Sequence, residues 1–238
     1  MITIENLSVK IGKNLILDHL SLKIRPSEII GLVAPNGTGK TTLLRSISGL
    51  QKITSGKISI ESYEMKEATT HYCRSFFYLQ NIDLLYPELT VIEHLRFVKY
   101  TWKSDQQIEQ ILDLLQMTAY QHKKISKLSF GMKQHLLIAM AIISDAPNIL
   151  MDEPFNGLDP TSIHIVTRAI HSLAQTGKAF LFSSHILNHI DQTCSKVLFL
   201  QNKKIEYILD FSKFPDKKAE EIYHNLYEGD DNFESTTF

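Results

Sequence analysis

Hydrophobic and polar positions alternate at the start of the chain. Residues 2–5 (Ile-Thr-Ile-Glu) and 20–24 (Leu-Ser-Leu-Lys-Ile) read as half-buried strands. Residues 28–33 are mostly apolar, which predicts a short strand buried on both faces. After a glycine-bearing stretch, apolar positions over 40–50 return at helical spacing, so this segment is a strand–loop–helix unit. Residues 56–60 and 76–79 predict further strands. From residue 90 the period changes: 90–102 and 105–117 carry leucine and isoleucine at three- and four-residue spacing, and 132–143 predicts a third helix. These three read as a helical insertion. Alternation then resumes with a strand over 148–151. A helix opens at Asp159, as N-cap, with Pro160 at its first position, and runs to about Gln175. Strands follow over 178–183 and 197–200, then a terminal helix over 216–228 and an acidic, polar tail over 229–238 that predicts fraying. Strands alternating with helices predict a mainly parallel sheet covered on both faces.

Composition narrows the class. The chain is 43% hydrophobic and 21% charged with a formal net charge of -1, an ordinary globular balance without the broad positive footprint of a nucleic-acid binder. Cys73 and Cys194 are far apart with no CxxC spacing, as in a reduced chain. The first ten residues mix polar and apolar types, unlike a secretory leader, and the longest apolar run, 136–143, is too short to cross a bilayer. A membrane role therefore requires another chain to supply the spans.

Two segments carry chemistry. Ala34-Pro35-Asn36-Gly37-Thr38-Gly39-Lys40-Thr41-Thr42 nearly matches G-x-x-x-x-G-K-S/T between a buried strand and a helix. Gly37 and Gly39 let the backbone turn its amides inward as an anion nest. The following helix presents its positive end, Lys40 reaches outer phosphates, and the Thr41 hydroxyl is a hard ligand for magnesium. Ala34 replaces the first glycine, which a negative φ tolerates. The second segment is the apolar strand 148–151, which ends in Asp152 and Glu153. Asp152 can hold magnesium through water, and Glu153 can polarise an attacking water as general base.

With these in place the chain resembles the ATP-binding-cassette ATPases over roughly residues 2–210. Leu128-Ser129-Phe130-Gly131-Met132 resembles the signature LSGGQ, Gln80 the Q-loop glutamine, Gly157-Leu158-Asp159 the D-loop and His185 the switch histidine, all in the family's order. The resemblance implies an α/β fold: a P-loop NTPase core with a mainly parallel sheet, an N-terminal antiparallel β lobe and a helical subdomain. It implies a single domain over 1–238, with a core lobe of about 1–89 and 148–227 and a helical subdomain of about 90–147. It implies ATP and Mg2+ as cofactors, with Asn36, Gly37, Thr38, Gly39, Lys40, Thr41 and Thr42 around the phosphates. Thr41, Gln80 and Asp152 would serve the metal, and Glu153, His185 and Gln80 the catalysis. Ser129, Gly131 and Asp159 would face nucleotide at a dimer interface with a second cassette subunit. The family stacks an aromatic residue on adenine where Ile11 precedes Gly12 here, a loss of about 1 kcal/mol of π-contact. Phe130 replaces the signature's first glycine.

The stretch 85–95 is similar to transporter cassettes, particularly bacterial export-type ones. That implies a separate integral-membrane permease as partner, a peripheral location on the cytoplasmic face of the membrane, and no nucleic acid. Two other readings compete: a soluble cassette acting on ribosomes or DNA, and a nucleotide sensor without turnover. The first lacks a second cassette or a coiled-coil insertion, and the second is opposed by the presence of every residue with a chemical task. His185 and His189, four apart, have a spacing that suits a metal on one helix face, but no acidic or cysteine cluster accompanies them. Phe76-Phe77-Tyr78 reads as strand core, Lys123-Lys124 as a solvated loop, and His19, His94 and His135 carry no assigned role.

Overall fold

The computed structural model describes residues 1–61, 63–65 and 70–229. The expected tail therefore falls outside the described residues from 230 onward. A four-stranded antiparallel sheet is built from β1 (Ile2–Ile11), β2 (Asn14–Ile24), β4 (Ser55–Ile60) and β5 (Tyr63–Glu64), in the order β2-β1-β4-β5. A six-stranded sheet contains β3 (Ile29–Val33), β6 (Phe76–Leu79), β7 (Asn148–Met151), β8 (Ala179–Ser183), β9 (Lys196–Gln201) and β10 (Lys204–Asp210). Its order is β10-β9-β3-β8-β7-β6, parallel except for the β9–β10 hairpin.

The period-2 pattern of the larger sheet divides the core into two layers. On one face Val33, Phe77, Ile149, Met151, Phe180, Phe182, Val197 and Phe199 pack with α3 (Val91–Trp102), α4 (Ile108–Leu114), α5 (Phe130–Ile143), α6 (Pro160–Gln175), α7 (Leu187–Thr193) and α8 (Ala219–Tyr227). On the other, Ile30, Leu32, Leu150, Leu181, Leu198 and Leu200 pack with α1 (Lys40–Ile47) and the inner face of the small sheet. A short helix α2 (Thr70–Arg74) precedes β6.

Several expected elements shift for identifiable reasons. The predicted helix over 105–117 is only Ile108–Leu114. Lys103 stops α3 in the left-handed region at φ 54, and Ser104 Oγ then accepts the Gln106 N–H at 3.2 Å, a local bond that competes with helix formation. At the other end Gln116 turns left-handed at φ 54. β10 escaped the sequence reading because it is a charged edge strand, paired to β9 through Asn202 and Lys203, both at positive φ. The terminal helix begins at Ala219 rather than 216, its first amide held by Asp191 Oδ1 at 2.9 Å.

Candidate nucleotide site

The parallel register brings the carboxyl ends of four strands together. Leu79 lies opposite Met151, Met151 opposite Phe182, and Leu32 opposite Ser183. The next residues out, Gln80, Asp152 and the loop after β3, therefore meet at one edge, where open α/β sheets bind ligands. They line a cleft of about 360 Å³ with Asn36, Gly37, Gly39, Lys40, Thr41, Thr42 and Glu153.

The loop's chemistry is visible in its caps. α3, α5 and α6 each begin with a side-chain cap, from Thr90, Ser129 and Asp159. α1, like α4 and α7, does not: its N-cap is Gly39 at φ 115, with no side-chain bond to the first-turn amides. That conformation favours glycine, and the uncapped amides are donors free for an anion. Ala34 is not among the residues at positive φ, so its methyl group is accommodated without strain. Thr38 does not line the cleft, and its hydroxyl donates to Pro35 O at 2.8 Å. Lys40 is buried, its Nζ donating to Ala34 O at 2.6 Å and Pro35 O at 3.2 Å. Burial pushes its pKa down, with Glu153 and Asp152 pulling it back up. It is the one cation among the lining residues, against two carboxylates.

Beyond the loop a chain of hydrogen bonds crosses the strand ends. Thr41 Oγ1 donates to Asp152 Oδ2 at 2.7 Å, and Ser183 Oγ donates to Asp152 Oδ1 at 2.5 Å. The same Ser183 oxygen accepts the Glu153 N–H at 3.0 Å, and His185 Nδ1 donates to Glu153 Oε2 at 2.9 Å. Glu153 sits at φ 51, a left-handed backbone costing about 1 kcal/mol in a non-glycine residue, and Ser183 helps hold it there. Thr41, Gln80 and Asp152 bring only oxygen donors of the hard type that magnesium prefers, and Gln80 and Asp152 share the cleft with Thr41. The described residues hold no group of three or more His, Cys, Asp or Glu able to grip a metal alone.

Other expected residues lie apart from this cleft. Ile11, at the end of β1, is half exposed and absent from the lining. Ser129 caps α5, accepting the Met132 N–H at 3.3 Å, and Gly131 sits in the first turn of that helix. Asp159 caps α6, its carboxyl held below the usual range by the Ser162 amide and hydroxyl. His185 and His189 do not share a helix face: α7 starts at Leu187, and His189 lies against the Phe155 ring at 5.8 Å. The pair is therefore no metal site.

Ser183 is the residue the sequence reading passed over. Its only signal is a hydroxyl ending an otherwise apolar buried strand. Ser183→Ala is expected to lower the turnover number about tenfold with little change in KM, because a buried N–H and a carboxylate oxygen both lose their partner. Steady-state kinetics beside a thermal melt checks this; a parental turnover number in a folded variant removes the bridge from the site.

Comparison with known proteins fits this geometry. A family model described as ABC transporter matches residues 17–156, more than half of the chain. The uncharacterized ABC transporter ATP-binding protein YdbJ of Bacillus subtilis (strain 168) is 34% identical over 206 residues, covering 85% of this chain and 67% of that protein. Nod factor export ATP-binding protein I of Cupriavidus metallidurans is 31% identical over 189 residues, 77% of this chain and 62% of that protein. A solved structure of the ATP-binding subunit of an ABC transporter superposes with a TM-score of 0.87 at 27% identity, covering 95% of this chain and 99% of that one.

Proposed function

Because this chain belongs to the ABC transporter family as an ATP-binding subunit, we propose that it hydrolyses ATP at the Lys40–Glu153 cleft and so drives export of a substrate through a separate permease. The observation that carries this reading is the bonded path Thr41–Asp152–Ser183–Glu153–His185 beside the uncapped end of α1. It supports a reading in which amide donors for phosphate, hard oxygen ligands for magnesium and a general base share one cleft. Bound magnesium would neutralise charge on the outer phosphates, held by Thr41, Asp152 and Gln80. Lys40 and the loop amides bind and orient the polyphosphate. Glu153 accepts a proton from the attacking water, and His185 fixes the orientation of that carboxylate.

Ser129 and Gly131 are not among the residues that line the cleft. In this reading a second cassette supplies those residues, and the two nucleotides lie at the dimer interface. Residues 90–147 form the helical subdomain, and about 1–89 with 148–227 the core lobe. No helix among the described residues is long and apolar enough to cross a membrane. Attachment to the cytoplasmic face then depends on the permease. Exposed Leu84, Tyr86 and Phe97 offer it an apolar surface, with the Tyr86 and Phe97 rings edge-to-face at 6.5 Å. Export is supported by the name of the Nod factor export relative and by the character of residues 85–95.

Co-expression with any polytopic membrane protein encoded by a neighbouring reading frame tests the partner. The two are expected to co-purify from detergent. Phe97→Glu should break that association while leaving the isolated subunit's ATPase rate intact. Failure of any membrane protein to co-purify with the unaltered chain, joined by association with ribosomes, would replace transport with the soluble reading.

A further inference from the structure

The start of α5 is fastened to the turn that carries Glu153. Deeper in the helix, Gln134 Nε2 donates to Pro154 O at 2.9 Å in a buried bond. At its tip, the Phe130 ring lies on Gly157 so closely that a Cβ built on Gly157 would overlap it. Gly157 is at φ 71, so the turn uses glycine for both its backbone and its space. Gly131 completes the contact: a Cβ there would stand 3.3 Å from Gly157 O. Phe130 is 51% exposed, so its ring is not part of the hydrophobic core. It walls a groove of about 150 Å³ together with Gln80, Glu153 and Asn156, adjoining the nucleotide cleft.

The geometry points to Phe130 as a positioning residue: its ring, seated on Gly157, ties the tip of α5 to the 153–158 turn and sets Glu153 for hydrolysis. This rests on the function proposed above, in which Ser129 and Gly131 meet a nucleotide bound by a second subunit. Movement of the α5 tip onto that nucleotide then carries the turn, and Glu153 with it, within one subunit. A glycine at 130 would present no side chain to Gly157, leaving the Gln134 bond to Pro154 O and the close approach of Gly131 to hold the turn to α5. The left-handed backbone at Glu153 is what needs outside support. The Phe130 ring supplies it without touching the reacting atoms.

A double-mutant cycle tests the contact. Alanine at 130 removes the ring while keeping a good helix former at the first position of α5. Phe130→Ala is expected to lower the turnover number about tenfold, with KM for ATP and the thermal midpoint nearly unchanged. Phe130→Leu, which keeps an apolar cover over Gly157, should retain at least about half of the parental rate. Gly157→Ala should cost more than about tenfold in the parent but only about threefold beside Phe130→Ala, because ring and methyl compete for one space. Additive effects, a parental rate in Phe130→Ala, or a Phe130→Leu loss as large as that of alanine would overturn the assignment. The unaltered chain separates the two levels. If it hydrolyses ATP while Phe130→Ala matches it, only the positioning role falls; if it does not hydrolyse ATP, the function falls and this role with it.

Discussion

Glu153→Gln is expected to cut ATP turnover by about a hundredfold to ten-thousandfold, the range spanned by loss of a general base, while ATP still binds. The amide is nearly isosteric with the carboxylate, and its oxygen can still accept from His185 Nδ1, which reaches the native oxygen at 2.9 Å. What it cannot do is take a proton from water. The substitution also removes a negative charge from a cleft where a polyphosphate must sit beside Asp152. Like charges in that space repel, so binding is expected to hold or tighten. With hydrolysis blocked and nucleotide retained, two subunits should remain closed around ATP. Gel filtration with ATP and magnesium should show a dimer for Glu153→Gln and mainly monomer for the parent after turnover. A variant that hydrolyses ATP at the parental rate would remove Glu153 from the base role.

Lys40→Ala should act on binding instead. The Lys40 ammonium is the cleft's one cation, held at the loop by the Ala34 and Pro35 carbonyls. Without it, two carboxylates face the incoming phosphates uncompensated. A charge-assisted hydrogen bond of this kind contributes about 1.5–3 kcal/mol, so affinity for ATP should fall about tenfold to a hundredfold. Calorimetric titration measures this directly. A thermal melt separates binding from folding. The melt of the apo variant reports what loss of the Lys40 bonds to Ala34 O and Pro35 O does to the fold. The upward shift that ATP gives the parent should shrink in the variant. Undiminished affinity would mean that the loop does not hold phosphate through Lys40.

The two substitutions divide the cleft by chemistry. One removes a base and spares binding; the other removes a counter-charge and spares the base. Ser183 lies between them. Its hydroxyl joins Asp152 to the Glu153 backbone.

Much of the fold was legible because its signals are local. The strands at 76–79 and 148–151 have the bounds their apolar runs predict. Asp159 and Pro160 open α6 as cap and first residue. Elements without such a signal were missed. β10 alternates charged and apolar residues because one of its sides faces solvent, and α7 is only two turns long with no side-chain cap. The helix over 105–117 was overdrawn because apolar spacing says nothing about a serine that bonds its neighbour's backbone.

Local residue order specifies the chemistry available: a glycine-bearing loop ending in Lys40 and Thr41, and a buried strand ending in Asp152 and Glu153. These depend on residue type and on spacing within a few positions, which the chain states directly. The tertiary structure alone decided how those pieces are joined. The Thr41–Asp152 bond spans 111 residues and the Ser183–Asp152 bond 31. Both follow from the order and register of β3, β8 and β7, set by packing two apolar faces at once rather than by any local signal. The seat of the Phe130 ring on Gly157 belongs to the same class: no spacing predicts that a side chain at the tip of α5 needs the missing Cβ of a turn beyond the next strand.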